Sequence, residues 1–203
     1  MKQFLEELRI QRWDDHRFYH QSRINQALHF ISAISFVVAY AVMFNDPATA
    51  ALIAWLISMT TRQSGHFFFE PLGYDEVNQA THEYKESIKV GYNLARKRIL
   101  MGAWFLLPAA LWFAPDLLPF VEPYDSVGSW VTAVGWSWFW LGIMALVIRM
   151  AQLTVQQNFR TAVVWICKII TDPFHDMKLY YKAPFYLLKG ELLDTSMRKG
   201  LSH

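Results

Sequence analysis

The strongest constraint on this chain is the length of its apolar blocks. Residues 27–44 are almost wholly apolar, the turn Asn45-Asp46-Pro47 follows, and 48–59 are apolar again; two further blocks cover 99–120 and 127–148. A hydrocarbon layer roughly 30 Å thick is crossed by about 20 helical residues, and a helix is favoured there because it satisfies its own backbone polar groups. The second block reaches that length only if its helix continues through 60–69, which brings Gln63, His66 and Glu70 to the membrane boundary. The expected fold is therefore all-α: a single integral membrane domain of four transmembrane helices over about 27–44, 48–69, 99–120 and 127–148, with interfacial helices on the cytoplasmic side. Hydrophobic residues are 54% of the 203 and charged ones 18%, and this imbalance matters because the apolar residues come in blocks rather than at helical or strand spacing.

The basic residues set the expected orientation. The connections 45–48 and 114–126 hold no Lys or Arg, only Asp46, Asp116, Glu122 and Asp125. The N-terminal arm carries Arg9, Arg12, Arg17 and Arg23, the central segment Lys85, Lys89, Arg96, Lys97 and Arg98, and Arg149 and Arg160 follow the last block. By the positive-inside rule these basic segments are cytoplasmic, which requires an even number of crossings and puts both termini inside. With no organelle signal evident, a bacterial inner membrane is the simplest expected setting. The net charge of +2 gives no ground for a nucleic-acid partner. Cys167 is the only cysteine, so an intrachain disulfide and a cysteine-built metal site are both excluded.

Between the second and third blocks, 71–98 is polar, and Val77, Tyr84, Ile88, Tyr92 and Leu94 form an uneven stripe that predicts a surface helix. The segment 149–203 mixes Lys168, Lys178 and Lys182 with Trp165, Phe174, Tyr180, Tyr181, Phe185 and Tyr186, as expected of an interfacial cytoplasmic tail.

Six of the seven histidines fall on the expected cytoplasmic side: His16, His20, His29, His66, His82 and His175. His29 and His66 sit inside apolar blocks, where ionisable groups are costly and are as a rule paired or functional. Four-residue spacing puts Asn25 and His29 on one helical face, and His66 and Glu70 on another, with Gln63 three before His66. Imidazoles with a carboxylate suit non-haem iron(II), and zinc accepts the same ligands. Two other readings of these residues stand beside it: axial ligation of haem in a haem or quinone protein by His29 and His66, and interhelical hydrogen bonding in a non-catalytic lipid-binding or scaffold protein. By spacing alone, His82 in HEYKE is a surface residue and His175 a turn or cap residue.

The run Phe18-Tyr19-His20 with Asn25 and His29 following, and the pair Gly65-His66 with Phe69-Glu70 following, resemble two motifs of the fungal endoplasmic-reticulum 2-hydroxy fatty acid dioxygenases and their bacterial relatives. The resemblance lies within residues 18–70; Gln63 stands one residue later than the glutamine of the family pattern, a place held here by Arg62. It implies an iron(II)-dependent membrane oxidoreductase of fatty acid α-oxidation, which uses molecular oxygen to shorten a lipid-derived 2-hydroxy acid by one carbon. It also implies His20, His29 and His66 as iron ligands, Asn25, Gln63 and Glu70 as residues of the catalytic site, and Glu70 as either a ligand or a partner that orients an imidazole. His82 is a further candidate ligand, which leaves the count at one or two ions, and its helix is a candidate lid over the cytoplasmic mouth. Arg17, Arg62 and Lys85 are candidates to neutralise the substrate carboxylate.

Overall fold

Side-chain caps set where the helices begin. Ser22, Asp46, Thr81, Asn93, Ser126 and Asn158 each accept a hydrogen bond from a backbone N–H of the first helical turn that follows. The computed structural model describes residues 1–70, 73–118 and 124–194, and these form an all-α structure. Helix α1 is Lys2–Tyr19 and α2 is Arg23–Met43. Helix α3 (Pro47–Ile53), a π-helical segment (Ala54–Met59) and α4 (Thr60–Phe68) follow one another without leaving right-handed helical dihedrals at their junctions. The second apolar block thus continues as expected through 60–68. The wider π turn carries one extra residue, which resets the phase of α4 relative to α3. Then come α5 (His82–Ile88), α6 (Leu94–Phe113), a 3₁₀ turn (Pro115–Leu117), α7 (Val127–Gln156), α8 (Phe159–Tyr180) and α9 (Ala183–Leu188).

Helices α2 and α7 are each long and apolar enough to cross a membrane, and only 28% of the residues in each apolar window are buried. The core helices of water-soluble proteins are mostly buried. The uncovered side of α2 carries Ile31, Ile34 and Val38, and that of α7 carries Met144, Val147 and Ile148. A surface of this kind is stable against lipid and costly against water.

Several boundaries differ from those expected. Helix α6 starts at Leu94, because Asn93 caps it, and ends at Phe113, because Pro115 disfavours a helical conformation at Ala114; of the expected span 99–120, residues 119–120 lie outside the described residues. Helix α7 runs on past Ile148 to Gln156, since Arg149 is satisfied where it stands by the Val90 carbonyl at 2.6 and 3.1 Å. In 71–98 the only described helix before α6 is α5. There Asp75 Oδ1 accepts from the backbone N–H groups of Val77 and Asn78, a local turn that competes with a helix, and Gln79 takes a positive φ of 48°. Within 149–194 the chain is largely helix α8, packed against α1, α2 and α7. Beyond α9, Arg23 N–H donates to the Leu192 carbonyl at 2.9 Å and Asp194 N–H to the Gln21 carbonyl at 2.8 Å, so the chain ties back onto the start of α2.

The apolar core lies where α3 and its π segment meet α6 and α7. Trp55 stacks on Trp104 with centroids 6.1 Å apart and donates through Nε1 to the Trp138 carbonyl at 3.0 Å. Helices α3 and α7 approach closely because Gly135 has no side chain: a Cβ there would lie 2.6 Å from the Ala48 carbonyl oxygen, a backbone atom with no freedom to yield. We predict that Gly135→Ala lowers the apparent Tm of the purified protein in detergent. A net loss of about 1–2 kcal/mol is expected, overpacking outweighing the gain in helix propensity, and an unchanged or raised Tm would contradict the close approach.

Candidate metal centre

Three elements deliver the three histidines. His20 follows the last residue of α1, where the chain turns sharply into α2, and two side chains of α2 hold that corner: Asn25 Nδ2 donates to the Tyr19 carbonyl at 2.7 Å and Gln26 Nε2 to the His20 carbonyl at 2.8 Å. Tyr19 itself is anchored by its hydroxyl, which donates to the Lys85 carbonyl at 2.6 Å. The corner folds the His20 ring back over His29 in α2, and α4 supplies His66. Gly65 is what lets α4 come this close, since a Cβ at that position would collide with Asn25 Oδ1.

The three rings converge. His20 and His29 have centroids 4.1 Å apart, His29 and His66 4.9 Å, and His20 and His66 5.3 Å. One nitrogen from each lies within 4.8 Å of the other two, and among the described residues this is the one such group able to hold a metal ion. His20 and His29 are buried, and His66 is partly so.

The outer nitrogens fix the tautomers of two of the rings. His20 Nδ1 lies 2.8 Å from the Asp15 backbone carbonyl, which can only accept, so the proton is on Nδ1 and Nε2 carries a bare lone pair. His66 Nδ1 likewise donates to Glu70 Oε2 at 2.8 Å. His29 Nδ1 faces Asp176 Oδ2 at 3.6 Å, longer than a hydrogen bond, so either of its nitrogens can carry the proton. The Nε2 atoms of His20 and His29 lie 3.1 Å apart, within hydrogen-bond distance. A proton on His29 Nε2 bridges the two nitrogens, and a cation could take its place. Two nitrogens each about 2.1 Å from one metal and at right angles to each other lie about 3 Å apart. The donor set therefore fits a metal ion, with outer acceptors of the kind that orient metal-bound imidazoles. Burial holds His20 well below the ordinary histidine range, and the neighbouring His29 adds to this. His20 is thus neutral at pH 7, the form that ligates. Axial ligands of a haem would face one another across the macrocycle, whereas His29 and His66 stand edge to face at 4.9 Å.

The other expected site residues divide. Asn25 shapes the corner and has no described contact with a ligand position other than through Gly65. Glu70 acts through His66. Gln63 lines the adjacent cavity with its Oε1 lacking a hydrogen-bond partner, and Arg62 lines it too, while Nη1 donates to Asp176 at 3.0 Å. Arg17 and Lys85 do not reach it: Arg17 pairs with Asp14 at 2.7 Å and lies over the Phe18 ring, and Lys85 is buried 3.8 Å from Asp75. His82 is outside the triad and lines a small cleft with His66, Glu70, Glu86, Lys89 and Lys97.

Two residues were missed by the sequence reading, and both come from α8. Asp176 holds His29 and Arg62 together, and the Tyr180 ring lies 5.6 Å from His20 and 6.1 Å from His29, with its hydroxyl 3.0 Å from His16 Nδ1. Burial pushes the Tyr180 phenol well above its ordinary value, so it keeps its proton. A signal for both existed: Lys168, Asp172, Asp176 and Tyr180 recur every four residues along one face.

Beside the triad lies a cavity of about 730 Å³, lined at its polar part by His20, Arg62, Gln63 and His66 and elsewhere by apolar side chains including Phe36, Trp55 and Phe139. Compared with known proteins, the chain matches no family model, no curated protein and no solved structure. Glu70→Ala should weaken metal binding by about 10- to 100-fold, because His66 loses the acceptor that orients it. Titration of the metal-free protein with iron(II) or zinc measures this, and an unchanged affinity would remove Glu70 from the site.

Proposed function

We propose that the chain is an iron(II)-dependent membrane dioxygenase that shortens a 2-hydroxy fatty acid, or a related lipid-derived acid, by one carbon. The observation that carries this reading is the convergence of three imidazoles, each with a carbonyl or carboxylate behind it, beside a cavity of about 730 Å³ at one end of apolar helices. His20, His29 and His66 would hold the metal. Iron(II), when bound, would supply oxygen activation. With molecular oxygen as oxidant the overall change balances as R–CH(OH)–COOH + O₂ → R–COOH + CO₂ + H₂O.

The chain's own residues bind, orient and exclude water. Asp15, Glu70 and Asp176 fix the ring orientations. The cavity follows α2 as far as Met43, fourteen residues beyond His29, which is about 21 Å of helix and enough for an extended acyl chain. Its apolar lining keeps water from the tail, and the 2-hydroxyl and carboxylate are left at the polar part among His20, Arg62, Gln63 and His66. The same reading places four crossings at α2, at α3 with its π segment and α4, at α6 and at α7, with both termini cytoplasmic. What supports this is the basic-residue asymmetry of the connections together with the uncovered apolar sides of α2 and α7. An inner bacterial membrane is the proposed setting.

Protein purified without oxygen is expected to carry about one iron per chain, consistent with the single described triad. His20→Ala, His29→Ala and His66→Ala should each cut that content at least tenfold, while His82→Ala should leave it unchanged. Oxygen uptake should follow addition of 2-hydroxy acids and yield the acid one carbon shorter. Iron-free wild-type protein, or no uptake at any chain length, would sink the proposal, and a Soret band would replace it with a haem protein.

A further inference from the structure

The charged side chains lining the cavity are paired with one exception. Asp14 has Arg17 at 2.7 Å. Lys168 is bound by both Asp15 and Asp172, and Asp172 also meets Arg12 at 3.2 Å. Arg62 has Asp176 at 3.0 Å, and Lys89 has Glu86 at 3.5 Å and Glu70 at 3.8 Å. Lys97 also lines the cavity, is only 9% exposed, and among the described residues its ammonium has no hydrogen bond and no carboxylate within ion-pair distance. It lines the small cleft that His66 also lines, which puts it beside the triad. An ammonium taken out of water with no partner is held at a cost that an anion seated beside it would lift.

We infer that Lys97 is the anion-binding end of the cavity, receiving the carboxylate of a single-chain amphiphilic acid whose hydrocarbon tail fills the apolar remainder. The inference rests on the functional reading above for the identity of the ligand, but its evidence is separate: the pairing of every other lining charge, and a volume suited to one small ligand. Lys89 is the second cation of this end. It borders both the cavity and the cleft that Lys97 shares, and its ammonium lies 3.4 Å from the centroid of the Tyr19 ring, so its position is fixed by the corner that carries His20. A carboxylate seated on Lys97 would lie beside His66, with its α-carbon substituent nearest the three rings. Arg62, the sequence-level candidate for this task that does line the cavity, already has its carboxylate in Asp176.

The test compares hexadecanoate with hexadecanol, ligands that share a tail and differ in charge, on the full chain in uncharged detergent. The wild type should bind the acid at least tenfold more tightly than the alcohol. Lys97→Met should abolish that preference by weakening the acid alone, leave iron content at the wild-type level, and raise the ligand-free Tm, because an unpaired buried charge has been removed. Lys89→Met should reduce the preference by less. Equal binding of acid and alcohol by the wild type overturns the inference. So does a Lys97→Met protein that keeps the preference, or one that fails to fold, since that would make Lys97 a structural partner. Loss of the preference in Lys97→Met from a protein that holds no iron would uphold the subsite while removing the dioxygenase reading.

Discussion

The rest of this structure is arranged around two imidazole nitrogens, those of His20 and His29, held 3.1 Å apart out of water. Bringing two buried rings this close takes a scaffold on both sides. The corner between α1 and α2 supplies it on one side, through the hydrogen bonds of Asn25 and Gln26 to the backbone of Tyr19 and His20. Gly65 supplies it on the other by letting α4 close against Asn25. The outer acceptors Asp15 and Glu70 then keep the protons of His20 and His66 on the far sides of their rings, and Asp176 stands behind His29. Rings held from several elements at once are the mark of a preorganised site.

The support comes from buried charges that join helices distant in sequence. Arg12 and Asp15 of α1 meet Asp172 and Lys168 of α8, and Arg62 of α4 meets Asp176 of α8. Burial alone would raise the Asp15 carboxyl, but the Lys168 ammonium beside it brings the group below the ordinary carboxylate range. Pairs like these add little net stability over well-packed apolar residues, yet removing one partner strands the other at a cost of about 3–5 kcal/mol. Their value here is positional. They lock α8 in the one register that puts Asp176 under His29 and Tyr180 beside His20.

Much of this was legible in the sequence, and the part that was not has a physical reason. The all-helical class and the long continuous helices α2 and α7 follow from apolar length alone; His29 and His66 stood out because ionisable groups in apolar surroundings are expensive, whereas His20 was named only through the family resemblance. The continuation of the second block through 60–68 was visible as a requirement of length. The end of α6 was misplaced because hydropathy does not register the restriction that Pro115 places on Ala114. The central helix was overextended because an apolar stripe says nothing of the Asp75 side chain capturing two backbone N–H groups. Arg17 and Lys85 were named for charge and proximity in sequence, but charge does not reveal which partner a side chain already has. Asp176 and Tyr180 lay in plain view at four-residue spacing, and were passed over because α8 was read by its aromatic and lysine content as an interfacial tail.

The part played by α8 shows how the chain divides its labour. The nitrogens of the triad come from residues 20–66, while Asp176, which stands behind His29 and holds Arg62, and Tyr180, whose phenol lies beside His20, both come from α8. The first part of the chain therefore supplies the three imidazoles together with the acceptors behind His20 and His66. The carboxylate behind His29 comes from α8, which presents a polar residue at every fourth position. The polar face of α8 also explains why the cavity is two-sided in character: Lys168 and Asp172 neutralise each other along its edge, which leaves the apolar side chains of α2, α3 and α7 to set the shape of the rest. Such a space has one polar end and one long apolar body. The position of the triad, at the end of α2 from which the cavity departs, puts the polar end against the three histidines.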